Sequence, residues 1–265
     1  MASLKEVKGR IASVNNTRKI TSAMKMVASA KLHKAQAAIE NMLPYERRLN
    51  HILTNFLSAD SEVESPFIVK REVKRVAIVV FASNTSLCGG FNANIIRHLT
   101  VILDEYKSLG MENVLLYPVG RKVAEGVKKL GFKAEGDFQH MADKPSYQEA
   151  AALAEDLMRR FLHRDIDKVE LLYNHFRSTA VQVLTRETYL PIDLTQEKKE
   201  EDKGRIPDYI VEPSVDVVMG ELLPKVLRMK MFTVLLDSNA SEHAARTMAC
   251  LLYTSDAADD LIGVD

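Results

Sequence analysis

ASAKLHKAQAAIENMLPYERRLNHILTNF, residues Ala28 to Phe56, decides the architecture. Ala28, Leu32, Ala35, Ile39, Met42, Glu46, Leu49, Leu53 and Phe56 recur in steps of four and three residues, and Glu46 alone on this stripe is polar. Such spacing puts them on one narrow face of an α-helix. A stripe this long and narrow fits a partner helix better than a globular core. Towards the N-terminus, Leu4, Val7, Ile11 and Val14 form an earlier phase, while Ile20, Met24 and Val27 fit neither, so the seam must shift between them. Ser3 and Glu6 have capping-box spacing. Pro44 removes a helical hydrogen bond at a cost of ~3 kcal/mol. Burying several Leu-sized side chains at ~1.5–3 kcal/mol each offsets that. A helix kinked near Met42–Tyr45 but not stopped is expected, and residues 1–58 are assigned to one coiled-coil helix.

Beyond it the pattern changes. Residues 74–192 alternate apolar strand runs (75–82, 113–118, 167–176, 180–189) with helical spacing (92–107, 122–130, 147–163). That alternation predicts an α/β domain, Rossmann-like in its parallel part. Residues 193–210 include Gln196–Arg205, dense in charge, and read as a surface loop. Residues 211–249 return to helical spacing: Val215, Val218, Leu222, Leu223, Leu227, Met231, Val234, Leu235 and Ser238. The fold expected is therefore α/β with long terminal helices that form an antiparallel coiled coil around an inserted domain.

The chain has 265 residues, 46% hydrophobic and 27% charged, which is enough to bury a core. The longest apolar run, Val76–Ala82, is far short of the ~20 residues that a membrane span needs. No apolar leader follows Met1, and two cysteines make no disulfide framework, so a soluble intracellular protein is expected. Net charge is zero overall but uneven. Residues 1–50 hold ten Lys/Arg against three acids, a net +7, which leaves −7 for the remainder. A basic arm of this kind seeks an acidic partner.

Ser86-Leu-Cys-Gly-Gly-Phe-Asn92 lies between a strand and a helix. Its glycines could cradle a phosphate on backbone N–H groups. No Lys-Ser/Thr follows and GxGxxG is absent, so a tight turn with positive φ is favoured. Cys88 would need a nearby histidine to act as a nucleophile. The seven histidines lack HxxxH or HExxH spacing, so neither a metal site nor a catalytic residue is assigned, and no cofactor is expected. The basic helix lacks the interleaved aromatics of a nucleic-acid binder. Two further classes stay open: a nucleotide-dependent α/β enzyme with a helical oligomerisation arm, and a basic coiled-coil binder of nucleic acid.

Three ordered motifs carry a resemblance. Ile11–Ala28, continuing through Ala30–Gln36, is similar to the N-terminal signature of the gamma subunits of the rotary F-type ATP synthase. Ser86–Asn92 resembles the central Gly-Leu-Cys-Gly-Gly-Leu-Asn loop of that family, and Ser238–Arg246 its C-terminal Ala-Ser-Glu-His-Ala-Ala-Arg signature. The resemblance implies a non-catalytic rotor that couples proton flow to ATP synthesis or hydrolysis. Its implied partners are the alpha and beta subunits, the epsilon subunit and the membrane c-ring. No nucleic acid and no direct membrane insertion are implied, and the location is the cytoplasmic face of a bacterial membrane, peripherally. By the same resemblance, partner contacts fall on Ile20, Thr21, Met24, Lys25, Met26, Val27, Cys88, Gly89, Gly90, Glu242, His243 and Arg246, with Met24 near Arg246 across the coil. Asn84-Thr85-Ser86 stands where the family often has Asp-Arg-Gly, so a charge pair is absent here. The cysteine-bearing insert of chloroplast members is also absent, so thiol regulation is not expected.

Residues 250–265 read differently. Cys250–Asp259 is the translation of TGT CTC TTA TAC ACA TCT GAC GCT GCC GAC, a transposase sequencing adapter, and Gly263-Val-Asp265 fits that adapter's continuation in frame. An adapter-derived tail after Ala249 is therefore expected. Leu4, Val7 and Ile11 should then lack part of their antiparallel cover.

Overall fold

The computed structural model describes residues 4–59, 65–192, 212 and 214–262, with side chains at Asn50, 54–59, 215–216 and 255–262 left aside. Ser3 and the 193–210 segment lie outside the described residues. Two long helices dominate: α1, Leu4–Ala59, and α6, Val215–Ile262. Between them run β1 (Val76–Phe81), α2 (Phe91–Glu105), β2 (Val114–Val119), α3 (Arg121–Lys129), α4 (Gln139–Asp143), α5 (Tyr147–Leu162), β3 (Lys168–Phe176) and β4 (Gln182–Leu190). The short α4 was not expected from spacing, because one helical turn is too brief to show a period.

The sheet has strand order β2-β1-β3-β4, with β1 parallel to both β2 and β3, and β3 antiparallel to β4. β1 is buried at every position and its residues alternate between two cores. Ala77, Val79 and Phe81 face α5, the lower part of α1 and α6. Val76, Ile78 and Val80 face α2 and α3. A strand buried on both faces reads as a continuous apolar run, which is how Val76–Ala82 appears in the sequence. The sheet is thus the middle of three layers, and the outer layer on one side is the base of the coil itself.

α1 runs unbroken through Pro44. Ala28, Leu32, Ala35, Leu49 and Leu53 are buried along its seam, with Ile39 and Met42 half-covered. The side chain of Phe56 lies outside the described set. On α6, Leu222, Leu223, Leu227, Met231, Val234, Leu235 and Ser238 are buried as their spacing requires. Leu32 and Ala35 pack against Ala240 and Ala244, and Thr21 Oγ1 meets Thr254 Oγ1 at 2.9 Å, so the two helices are antiparallel. Phe176, at the upper end of β3, packs on the same small cluster. The coil above Leu32 therefore projects beyond the sheet. At 1.5 Å per residue the projecting part of α1 is about 40 Å long. At its tip Leu4 is 76% exposed and Ile11 is exposed too, as expected, whereas Val7 is half-buried.

Candidate functional site

The C-terminal signature lies where the coil leaves the domain, and its polar side chains grip that domain. Asp237 accepts a hydrogen bond from the Phe176 N–H (2.7 Å) and faces His175 Nδ1 (2.6 Å). Asn239 Nδ2 donates to the Ala142 carbonyl on α4 (2.9 Å). Ser241 Oγ donates to the Asn174 carbonyl on β3 (2.8 Å). Arg246 donates to the Ser86 carbonyl, to Thr85 Oγ1 (2.8 Å) and to Glu242 Oε1 (2.7 Å). Burial pushes the Glu242 carboxyl up from its ordinary range, against the pull of Arg246. Burial, then the charges of Lys31 and Arg246, push His243 down to about 4, so it is neutral at ordinary pH. One helix segment thereby ties β3, α4 and the glycine loop to the coil.

The glycine loop is braced from within. The Ser83 N–H donates to Asn92 Oδ1 (3.1 Å), Asn92 Nδ2 to Ser83 Oγ (2.8 Å), and Ser83 Oγ to the Thr85 carbonyl (2.6 Å). Cys88 is buried against Ser83 and Asn92, and burial raises its thiol pKa, which disfavours the reactive thiolate. Gly89 has φ +60° and sits against Ala249, with its missing Cβ 3.9 Å from the Ala249 Cβ. Gly90 precedes α2 as its cap. The positive-φ turn expected of the glycines is met at Gly89 but not at Gly90, whose φ is −80°; the loop's other positive φ, +66°, is at Leu87. Beneath the loop, Gly120 has φ +112°, and a Cβ there would lie 2.2 Å from the Ala82 carbonyl oxygen. Only glycine lets β2 approach the end of β1 so closely. Asn84, in the segment lacking the family's charge pair, accepts from the Arg121 N–H (2.7 Å) and donates to the Gln139 carbonyl (2.8 Å). Asn84 and Thr85 therefore serve internal bracing.

The residues expected to contact partners fall into two groups. Cys88, Glu242, His243 and Arg246 are buried in the chain's own junction. Ile20, Met26 and Val27 stand outward at 61%, 69% and 58% exposure. Thr21, Met24 and Lys25 are half-covered, Thr21 by its bond to Thr254. The register set by Thr21 and Thr254 carries Met24 to the level of Leu251, about a turn and a half from Arg246, which corrects the expected Met24–Arg246 neighbourhood. Arg246 is drawn away because the Thr85–Ser86 carbonyls and Thr85 hydroxyl satisfy its guanidinium. Leu251, Leu252 and Tyr253 are exposed at the same level but belong to the stretch expected to be adapter-derived, so the outward apolar surface of the coil here is that of Ile20, Met26 and Val27. Among the described residues no group of three or more His, Cys, Asp or Glu could hold a metal ion. No helix there is long and apolar enough to cross a membrane.

A two-helix stalk gripped at its base by an α/β domain is a specific architecture, and known proteins share it. A family model described as ATP synthase matches residues 3–263. A curated ATP synthase gamma chain from Phocaeicola vulgatus is 97% identical over 259 residues, 98% of this chain and 90% of that one. The chain belongs to the family of ATP synthase gamma chains. A gamma chain from Bacteroides fragilis is 63% identical over 263 residues, 99% of this chain and 90% of its own length. Among solved structures, the central stalk and c-ring of Tetrahymena thermophila mitochondrial ATP synthase matches at TM-score 0.65 and 24% identity, covering 88% of this chain and 98% of that one. The rotor of Euglena gracilis mitochondrial ATP synthase matches at 0.61 and 18%, covering 95% and 91%. At such identities these two show a shared fold.

Sequence reading missed Asp237, Asn239, Ser241, Thr85 and Asn84 as members of the junction. Asp237, Asn239 and Ser241 lie in or beside the quoted signature, and their short polar side chains on a helix that must bury its faces were the available signal. Nothing in the spacing shows that the partners would be the chain's own β3, α4 and glycine loop.

Proposed function

We infer that the chain is the central-stalk rotor subunit of an F-type ATP synthase, itself non-catalytic, which couples proton flow to ATP synthesis or hydrolysis in a ring of alpha and beta subunits. The observation that carries this is the projecting α1–α6 coil, basic along α1 and presenting the exposed Ile20, Met26 and Val27. An apolar band on a free-standing helix pair is an interaction surface in search of a collar. The lysines and arginines around it suit an acidic collar. The junction at Asp237–Arg246 supports the mechanical part of the reading. A coil that turns must carry its domain with it, and hydrogen bonds to three separate elements resist slip better than apolar packing alone. The base of the domain would then meet the epsilon subunit and the c-ring, placing the protein peripherally on the cytoplasmic face of a bacterial membrane.

In outline, residues 1–58 and 211–249 are assigned to the stalk and 74–192 to the domain, while 193–210 lie outside the described residues. Cys250–Asp265 is held to be adapter-derived on its in-frame codon match, and finding those codons in the genomic gene overturns that. The rotor reading is tested by reconstitution. Added to alpha and beta subunits, the full chain should assemble one copy per ring and raise ATP hydrolysis, while the chain alone hydrolyses no ATP. Stoichiometric ATP turnover by the isolated chain would instead favour the α/β enzyme.

A further inference from the structure

α6 is bonded to the domain at intervals from Arg228 to Arg246, and the bonds leave it along two lines. On one, Arg228 Nη1 meets Glu155 Oε1 of α5 at 2.8 Å, Asn239 donates to the Ala142 carbonyl of α4, and Arg246 donates to the Ser86 carbonyl and Thr85 Oγ1. On the other, Lys230 Nζ lies 3.2 Å from Glu187 Oε2 of β4, Asp237 accepts from the Phe176 N–H, and Ser241 donates to the Asn174 carbonyl of β3. At about 100° per residue, Arg228, Asn239 and Arg246 fall within about 20° of one another, and Lys230, Asp237 and Ser241 within about 40°. The two rows stand roughly half a turn apart, on opposite flanks of the helix. At their foot the buried Tyr189 hydroxyl donates to the Leu227 main-chain carbonyl (2.8 Å) and sets the height of α6 on β4.

Between the rows on one side, Leu235 and Ser238 share a small cavity with Phe81 and Val119 at the ends of β1 and β2. On the other side, Ala240 and Ala244 pack on Leu32 and Ala35 of α1. At this level α1 thus lies behind α6, while the domain holds α6 by its flanks. Singly each tie is modest, and the two ion pairs are partly exposed. Their placement is what counts. A bond resists stretching, whereas compression is already resisted by packing. If α6 twists about its axis, one flank lifts from its partners and the other presses into its own. One row alone would oppose one sense of twist. Two opposed rows oppose both, and only then is the angular setting of the helix fixed.

We propose that these rows key α6 to the domain, so that torque passes between domain and coil through α6 while α1 is carried on it. Glu155, Glu187, Arg228 and Lys230 thereby become positioning residues of the rotor. The inference rests on the rotor reading.

The test assembles the full chain with alpha and beta subunits, fixes the ring to a surface, couples a bead to the domain and records its angle with ATP withheld. Glu155→Gln with Asn239→Ala loosens one row, and Glu187→Gln with Ser241→Ala the other. Each pair should broaden the distribution of angles on one side only, and the two pairs on opposite sides. All four together should raise the angular variance about two-fold, since most of a set of comparable ties is lost. Arg228→Lys and Lys230→Arg, which keep the ion pairs, should leave the distribution as in the wild type. Leu49→Ala, on the buried seam of α1, should lower the melting temperature and leave the distribution unchanged. Broadening without the opposed skew, or as much broadening from Leu49→Ala, would overturn the key. Failure of the wild-type chain to enter the ring would overturn the rotor reading, and this inference with it.

Discussion

The same two helices live in two environments. From Asp237 to Arg246, α6 commits the side chains of Asp237, Asn239, Ser241 and Arg246 to the chain's own domain, and Ala240 and Ala244 pack on Leu32 and Ala35 of α1. Further out along the coil, Ile20, Met26 and Val27 are exposed. The lower region is a joint and the upper a bearing surface. A joint should be expensive to break in the isolated chain. A bearing surface should cost nothing there and matter only when the collar is present.

The largest expected loss is at Arg246. Arg246→Ala strands Glu242, a carboxylate 7% exposed, without its cation. Removing one partner of a buried pair costs about 3–5 kcal/mol. Burial already raises the Glu242 pKa, and without Arg246 it rises further, so the loss should be greatest at neutral pH and shrink as acid neutralises the carboxyl. Urea unfolding at two pH values checks both magnitude and trend. Arg246→Lys should fall between, since an ammonium cannot fork between Thr85 and Glu242.

Next is His243. Its folded pKa of about 4 lies below the ordinary value of 6.5, so the unfolded chain takes up a proton first as pH falls. The stability it contributes is complete above about 6.5 and lost towards 4, about 3 kcal/mol in all. Glu242 and Glu46, both raised by burial, act in the opposite direction over the carboxylate range. The comparison must therefore be between the wild type and His243→Gln, whose unfolding free energy should lack that acid-side decline. Parallel pH profiles for the two would refute it.

How much of this was legible follows the same division. The coil, the domain and the boundaries of β1, α2 and α5 could be read because apolar period survives wherever burial is one-sided or complete, as in Leu32–Leu53 or Val76–Phe81. The contact between signature and domain could not, since it joins residues such as Arg246 and Thr85, or Ser241 and Asn174, that are far apart in sequence and polar on both sides. Periodicity says which face is buried and nothing about which polar atoms meet there. Family signature residues were read as partner contacts, yet Glu242, His243 and Arg246 are buried at home. Glu46 is the instructive intermediate: it breaks the apolar stripe, and it is held beside Lys230 and Thr233 on α6, within the fields of Glu187 and Asp237. Burial, more than those neighbours, raises its pKa, so its charge weakens the seam it interrupts. Glu46→Met should stabilise the isolated chain by about 1 kcal/mol at neutral pH, and a drop in stability would show the Lys230 attraction to be worth more than the desolvation.

The smallest effect on folding should come from the bearing surface, and there the comparison between the two regions is sharpest. Ile20→Ser and Val27→Ser remove apolar side chains that bury little in the free chain, so each should change its unfolding free energy by less than about 0.5 kcal/mol. If these residues seat in a collar of alpha and beta subunits, each truncation forfeits about 1–3 kcal/mol of burial there. Assembly with the ring, or the rise in its ATP hydrolysis, should then weaken roughly ten-fold or more for the pair together. Arg246→Ala must be measured beside them as the opposite case, costly in the free chain. Were Ile20→Ser and Val27→Ser to destabilise the isolated protein as well, the band would be part of its own core and the upper coil would be a second joint. Were they silent in both assays, the collar would have to grip the stalk through the lysines and arginines of α1 alone, and the affinity would fall steeply with salt.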